Sequence, residues 1–411
     1  MTKQIKDLKV IGAMVFMGSA SIGVMNNGVK PTHILELTDD MHEDNAMHFV
    51  KNYPEIPVVP PSSWETDEFL EMLRRQDYDL LYGNPPCSGL SLGVKGPQSH
   101  EKGPNCHQYR YMNIVEKIQP KAFMYENAPT LLTTGKPILD DFVKTLDNYN
   151  FTVIREFGMY HNVPMKRQRT FFIGWRKDVF PNVPTLEMDK QEKITVMDAI
   201  GDLINKDEHD VQAHYLHPKR PFQSVEHLFP YCGVARGSIG SVNWVICNDY
   251  ERFESMIDDK TKKALKTQLH KQANGLGYWD KSSGRPDPNG LAPSLTGYSS
   301  FIHPTLHRQF TIREYARLMN FPDDFEILYH KDVVRHIAQG VPANYYQWAS
   351  RNVMEALIGN RPSTSKYSDT RVQFQHHTKE TLTEFTTEEW LAITGKVKVQ
   401  DVKEKVQKLE V

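Results

Sequence analysis

The 411-residue sequence has few cysteines, no long hydrophobic run and almost no net charge. Its four cysteines form no CxxC pair, which argues against a structural zinc site and fits a reducing compartment. No stretch approaches the roughly 18 apolar residues of a membrane span, and the amino terminus lacks the apolar segment of a signal peptide. The net charge of -2 gives no overall attraction to nucleic acid, so such binding would need local patches. We therefore expect a cytoplasmic protein without a membrane segment.

What the sequence does contain is a proline-proline-cysteine turn. Residues 78–82 form a short apolar run that predicts a buried strand, and Pro85 and Pro86 cannot continue a strand ladder. The turn leaves one thiol, Cys87, at the carboxyl end of a strand, where open α/β sheets bind their ligands. A lone cysteine is more often a buried packing residue, so its assignment as a nucleophile depends on residues further along the chain.

A carboxylate ends the next predicted strand. Residues 121–125 are apolar and lead into Glu126, so a thiol and an acid are expected at the same edge of one sheet. A carboxylate at the end of an apolar strand tends to have a raised pKa and can donate a proton near neutral pH. The alternative is that Glu126 only caps the following helix.

Two arginines separated by one residue lie between two further predicted strands, at residues 151–157 and 170–175. In a strand, Arg167 and Arg169 would point to the same face and could together bind a carboxylate or a phosphate. The alternative is a solvent-exposed edge strand whose charged residues prevent it from pairing with another chain.

Small and acidic residues follow the first two predicted strands. The strand at 8–17 runs into a turn at residues 16–23 that is rich in small residues. Small residues let a backbone approach a ligand, although a tight packing turn would look the same. The strand at 33–37 is followed by Asp39 and Asp40, which could bind ribose hydroxyls or start the next helix. Helices are predicted at 64–75, with Ser63 as the cap, and at 106–118.

The periodicity of apolar residues weakens over residues 195–287, which predicts an inserted second domain. Its scattered histidines lack metal-ligand spacing, so no metal site is expected. Order returns near residue 291, and Thr311 with Glu314 predicts a capping box at the start of a helix. Beyond Arg361 the chain is polar, apart from an amphipathic segment at 387–391.

Taken in order, these features resemble the DNA (cytosine-5) methyltransferase family. Pro85-Pro86-Cys87 is similar to the catalytic loop of the family, Glu126-Asn127 to its strand end, and Arg167 with Arg169 to its arginine pair. The longest similarity runs from APSLTG at residue 292 to NFPDDF at residue 325. The resemblance covers roughly residues 8–180 and 288–360.

The resemblance implies an α/β fold: a Rossmann-like S-adenosylmethionine-dependent methyltransferase domain with a smaller inserted target recognition domain. The expected boundaries are 1–195 and 288–361 for the catalytic domain, 196–287 for target recognition, and 362–411 for a tail of unknown role. The implied partner is double-stranded DNA, and a monomer is favoured. The location would be the cytoplasm of a bacterium or a phage-infected cell.

The resemblance also implies the chemistry. Cys87 would add to C6 of a flipped cytosine, and Glu126 would hydrogen-bond or protonate N3. Arg169 would hold the base and lower the pKa of the thiol, while Arg167 would support the Cys87 loop or its neighbours. C5 would then take a methyl group from S-adenosylmethionine, and the loop at 88–105 would close on DNA.

The cofactor residues follow from the same resemblance, although several depart from the pattern of the family. Ala20 and Ser21 replace two glycines, Ser63 is nearest to an expected aspartate, and Glu36 is a rival to Asp40 for the ribose contact. The predicted cofactor-binding residues are Phe16, Gly18, Ser19, Ala20, Glu36, Asp40, Ser63, Asn84 and Pro86. Two other functions stay open: a related enzyme that acts on RNA, and a catalytically silent DNA-binding relative.

Overall fold

The computed structural model describes residues 3–39, 45–86, 90, 106–204, 259, 286–297, 299, 301, 303–305, 310–328, 332–363, 369–376 and 379–393. Cys87, Asp40, nearly all of the loop at 88–105 and most of the predicted recognition domain lie outside the described residues. The chain divides into two compact units. The sheet unit comprises Met1–Phe157, Gln168–Lys190 and Ala343–Val411, and the second unit comprises Gly158–Arg167 and Gln191–Pro342.

Within the described residues, nine strands form one sheet of the order β3-β2-β1-β4-β5-β7-β6-β8-β9. The strands are β1 Val10–Ala13, β2 Ile34–Leu35, β3 Val58–Val59, β4 Leu80–Gly83, β5 Ala122–Asn127, β6 Tyr149–Phe157, β7 Gln168–Arg176, β8 Val372–His376 and β9 Lys379–Phe385. The first five pair in parallel, and β7 runs antiparallel to both β5 and β6. The strand order reverses between β1 and β4, which is where doubly wound sheets bind their ligands. The predicted α/β class is confirmed.

The α-helices connect the strands and continue through the second unit. They are α1 Ser19–Met25, α2 Ala46–Asn52, α3 Pro61–Trp64, α4 Asp67–Arg74, α5 Cys106–Ile118, α6 Lys136–Thr145, α7 Val196–Ile200, α8 Ile312–Leu318, α9 Val333–Gln339, α10 Ala343–Leu357 and α11 Thr387–Ala392. Short 3-10 turns lie at Ile5–Asp7, Pro129–Leu132, Gly158–Tyr160 and Gly201–Leu203.

Two sequence predictions about helix ends can be compared with this structure. The helix predicted at 64–75 is divided, because Thr66 and not Ser63 caps α4 by accepting a hydrogen bond from the Phe69 amide at 3.2 Å. The acids that follow Thr66 also suit the first turn of a helix. The prediction for α8 is confirmed, since Thr311 and Glu314 form a reciprocal capping box.

The core of the sheet unit forms because its central strands are apolar on both faces. Every residue of β1, β4 and β5 is buried, as expected for strands covered by helices on both sides. Helix α1 packs closely on α10: a Cβ added at Gly23 would come within 2.5 Å of the Ala343 carbonyl oxygen. Glycine at this position therefore lets the two helix backbones approach each other.

The polar carboxyl-terminal segment extends the sheet. Strand β8 pairs in parallel with β6, and β9 pairs antiparallel with β8. The amphipathic segment forms α11, where Trp390 is buried and the Lys136 ammonium lies 4.5 Å from its ring centroid. This segment therefore belongs to the sheet unit as far as residue 393.

The compact units divide the chain differently from the predicted domains. Residues 288–342 were expected with the catalytic domain, whereas they group here with the second unit. One physical reason is a parallel bridge between Met165 and Ala292, with the Lys166 amide 2.9 Å from the Ala292 carbonyl. How these units correspond to functional domains stays a prediction.

Candidate active site

Polar residues gather at one edge of the sheet. Strands β4 and β5 are parallel neighbours, with Gly83 opposite Tyr125, so the segments that follow them lie side by side. Strand β7 runs the other way and brings its first residues to the same edge. The predicted adjacency of the strands that precede Cys87 and Glu126 is therefore confirmed.

Glu126 is held from two sides at this edge. Its side chain is buried, and its Oε1 lies 2.8 Å from Nε of Arg169. Its other oxygen, Oε2, accepts a hydrogen bond from Nδ2 of Asn84. The turn that follows has Ala128 at its N-cap position, so Glu126 does not cap it. The carboxylate is thus fixed between a cation and an amide.

The turn before Cys87 is anchored by its carbonyl groups. Nδ2 of Asn127 donates to the Pro85 carbonyl at 3.1 Å, and Nε2 of Gln108 donates to the Pro86 carbonyl at 2.7 Å. Since proline has no N–H, a carbonyl is its only backbone hydrogen-bonding group. The last two described peptides before the thiol are therefore fixed by side chains of β5 and α5.

Sequence reasoning missed Gln108, although a signal was present. Gln108 is fully buried in α5, where a glutamine needs a specific partner. Its Oε1 accepts a hydrogen bond from the hydroxyl of Tyr125 on β5. A polar residue on the buried face of a helix can thus indicate support for a nearby loop.

The segment after β1 has an unusual backbone. Met14 and Phe16 have positive φ angles of 57° and 55°, which few residues other than glycine adopt. Gly18 has a φ of 97°, and a Cβ there would lie 2.3 Å from the Phe49 ring. Ser19 and Ala20 are buried, and the Ser19 hydroxyl has no partner in the described part of the chain.

The other predicted cofactor residues have different environments. Glu36 is buried directly after β2, and its carbonyl accepts the Trp64 indole N–H at 2.8 Å. Ser63 is exposed on α3. Asn84 is buried, and its Oδ1 has no partner among the residues that the structure describes. Pro86 is half-buried in the turn that Gln108 anchors.

Arg167 lies in the second unit, one residue before β7. Its buried guanidinium donates from Nη1 to the Leu295 carbonyl at 2.7 Å. Nη2 donates to the carbonyls of Ala338 and Gly340 at 2.9 and 2.6 Å. Arg167 therefore ties three backbone positions of this unit together.

Replacing Arg167 by methionine should destabilise the protein by about 2–4 kcal/mol, because three buried carbonyls would lose their donor. Chemical denaturation would measure the loss. Lys166→Met, at an exposed neighbour, is the control and should change stability by less than about 0.5 kcal/mol. Equal stability of the two variants would contradict this account of Arg167.

The open sheet of this order, with β7 inserted antiparallel, has the Rossmann-like architecture that is typical of S-adenosylmethionine-dependent methyltransferases. The Ser19 hydroxyl and the side-chain amide oxygen of Asn84 are buried and have no hydrogen-bond partner among the described residues. They therefore fit a cofactor that carries an amino-acid group. A family model described as C-5 cytosine-specific DNA methylase matches residues 18–355. The chain belongs to this family, whose methyl donor is S-adenosylmethionine.

Individual relatives agree with the family. The chain is 27% identical over 304 residues to the type II methyltransferase M.Bpa9945I of Bacillus paralicheniformis, covering 62% of this chain and 65% of that protein, slightly under two thirds. It is also 27% identical over 335 residues to the type II methyltransferase M.DdeI of Desulfomicrobium norvegicum, covering 74% and 78% of the two chains.

Solved structures show the same fold. One is a candidate DNA modification methyltransferase encoded within an Escherichia coli prophage, with a TM-score of 0.55, 21% identity, and coverage of 85% of this chain and 98% of that one. Another is the methyltransferase EhMeth of Entamoeba histolytica, with a TM-score of 0.53, 12% identity, and coverage of 86% and 99%. At these identities the likeness concerns the fold alone.

The described residues contain no group of three or more histidines, cysteines and acids that could hold a metal ion. Among the same residues, no helix is both long enough and apolar enough to cross a membrane.

Proposed function

We propose that the protein transfers a methyl group from S-adenosylmethionine to C5 of cytosine in duplex DNA, with Cys87 as the nucleophile. The observation that carries the proposal is the junction of β4 and β5. There, Asn127 and Gln108 hold the two prolines that precede Cys87, while Asn84 joins the same turn to Glu126. Cys87 follows Pro86 directly in the sequence, so we expect its thiol to lie near Glu126.

The chemistry requires a thiol because C5 of cytosine is a weak nucleophile. Addition of the Cys87 sulfur to C6 forms a covalent bond and moves the ring electrons towards N3, so that C5 becomes enamine-like. Glu126 would hydrogen-bond or protonate N3 and so stabilise the charge that develops there. When bound, S-adenosylmethionine supplies the methyl group that C5 accepts. Loss of the C5 proton to solvent then restores the ring and expels the thiolate, and N3 returns any proton it received to Glu126.

Arg169 and the cofactor segment complete the proposed site. Arg169 already orients Glu126 and has a small exposed fraction, 14%, through which it could also contact the base. The described residues that would hold the cofactor are Phe16, Gly18, Ser19, Ala20, Glu36, Ser63, Asn84 and Pro86. Ser19 would contribute its hydroxyl and Asn84 its side-chain amide oxygen. The fixed backbone at these positions would limit the reorganisation that binding requires.

The target base has to leave the duplex to reach a sheet edge. Extruding one base costs a few kcal/mol, which contacts with the protein must offset. The proposed location is the cytoplasm of a bacterium or a phage-infected cell, which the bacterial type II relatives support. There it would serve restriction-modification or protection of phage DNA.

Transfer of a labelled methyl group tests the proposal. The full-length protein is incubated with labelled S-adenosylmethionine and either duplex DNA or transfer RNA, and the products are analysed for 5-methylcytosine. We expect label in cytosine of duplex DNA and not in RNA. Label confined to RNA would favour the RNA-modifying alternative, and DNA binding without any transfer would favour a silent relative.

Asn84→Ala should lower kcat about tenfold, because Glu126 loses the amide that fixes Oε2 and can rotate away from the base. The measurement is the steady-state rate of methylation of duplex DNA at saturating DNA and cofactor. Asn360→Ala, on an exposed side chain after α10, is the matched control and should keep full activity. Unchanged kcat in Asn84→Ala would show that the amide does not position the acid.

A further inference from the structure

Glu156 is a buried carboxyl group that the proposed mechanism does not use. It is the second-last residue of β6 and is only 1% exposed. Its Oε1 accepts a hydrogen bond from the Phe157 amide at 2.6 Å. Within the described ranges it forms no ion pair, although a buried carboxylate is stable only with such compensation.

The strand register places Glu156 directly beside the proposed site. In the antiparallel pair of β6 and β7, Glu156 lies opposite Arg169, so the two side chains share a face of the sheet. Strand β7 lies between β6 and β5, and Glu126 lies opposite Phe171 on that same face. Arg169 therefore stands on the strand between two buried acids.

Only one of these acids holds Arg169 in this structure. Its Nε is paired with Glu126 at 2.8 Å, and its Nη1 donates to the Gln168 carbonyl at 3.1 Å. Glu126 and Glu156 lie on the two strands that neighbour the strand of Arg169, so two negative charges would compete for one cation. Which acid is ionised then decides where the guanidinium is held.

The surroundings of Glu156 favour its neutral form up to neutral pH. Burial raises the pKa of Glu156 to about 7, against the opposing effects of the Phe157 amide and the charge of Lys190. From α10, Tyr345 packs edge-on against Phe171 with ring centroids 5.1 Å apart. Burial raises the pKa of Tyr345 well above its usual value, and the charges of Glu156 and Glu126 add to this, so Tyr345 stays neutral.

We propose that Glu156 is a positioning residue that competes with Glu126 for the Arg169 guanidinium. The proposal rests on the proposed function of Arg169 and Glu126. When Glu156 is protonated, Arg169 stays with Glu126 and orients it for the base. When Glu156 ionises, it draws the guanidinium towards β6, and the orientation of Glu126 is lost. Methyl transfer should therefore decline above neutral pH because Glu156 ionises.

The kinetic test compares the wild type with Glu156→Gln and Glu156→Asp from pH 6 to 8.5. The glutamine variant cannot ionise, so its kcat/KM should equal that of the wild type at pH 6 and exceed it about 3- to 10-fold at pH 8.5. The aspartate variant keeps an ionisable group and should retain the alkaline decline. Glu384→Gln, on β9 of the same sheet, is the control and should follow the wild type.

A second readout does not depend on activity. The Arg169 ¹⁵Nε resonance should show a step near pH 7 in the wild type, and this step should be absent in Glu156→Gln. The role of Glu156 would be overturned by either of two results. One is a ratio of kcat/KM between Glu156→Gln and the wild type that stays constant with pH. The other is the absence of a step in the Arg169 ¹⁵Nε resonance of the wild type. Inactive wild type with a clear Arg169 step would instead refute the proposed methyl transfer, so the two failures are distinguishable.

Discussion

Cys87→Ala is expected to lose at least about 10⁴-fold in kcat for methyl transfer to duplex DNA, because the covalent route depends on a single sulfur atom. Without addition at C6, C5 stays a weak nucleophile. Glu126 and Arg169 then cannot help, because the enamine that they would stabilise does not form. Binding of DNA and cofactor should be retained, since neither requires the sulfur.

The measurement is the steady-state transfer of labelled methyl groups at saturating DNA and cofactor, with DNA binding recorded in parallel. Cys106→Ala is the matched control, because this half-buried cysteine starts α5 and lies outside the proposed chemistry. It should keep activity within about twofold. Full activity of Cys87→Ala would refute the mechanism, whereas loss of activity in both variants would point to a structural effect.

The second large effect is expected for Glu126→Gln, which should lower kcat about 10²- to 10⁴-fold. Glutamine keeps the shape of the side chain and can still contact N3, but it cannot deliver a proton. The substitution also leaves the Arg169 guanidinium without the acid that it pairs with at 2.8 Å, so some loss of stability should accompany it.

Two controls separate these effects. Thermal unfolding reports the loss of the ion pair, and Arg169→Gln should show a similar loss of stability because it breaks the same pair. Glu384→Gln controls for the removal of an acid from the same sheet. If Glu126→Gln keeps kcat within threefold of the wild type while its stability falls, then Glu126 is structural and another group protonates the base.

The sequence allowed the order of elements to be predicted because the central strands are continuously apolar and the helices amphipathic. Helix α5, Cys106–Ile118, was predicted with both ends correct. Strands β8 and β9 were missed, although Val372 and Phe374 alternate with Gln373 and Gln375 as in a half-buried strand. The pairing of β8 with β6 joins residues more than 200 positions apart, which local sequence patterns do not report.

The candidate site was predictable where residue type alone carries the chemistry, as for the strand end at Glu126. The supports could not be predicted, because they depend on contacts between distant segments. Gln108 binds a proline carbonyl 22 residues away, and Arg167 binds carbonyls 128 to 173 residues away. The contact of the Asn84 amide nitrogen with Glu126 was not predicted, and the binding of the cofactor by Asn84 stays a prediction.

The most direct test replaces the target cytosine of a duplex by 5-fluorocytosine. Fluorine at C5 blocks the loss of the C5 proton, so a thiol that has added to C6 stays bonded after methyl transfer. The account predicts a stable protein–DNA adduct that requires S-adenosylmethionine and maps by peptide mass spectrometry to Cys87. An enzyme that methylates ordinary cytosine but forms no adduct, or forms it at another residue, would contradict the account.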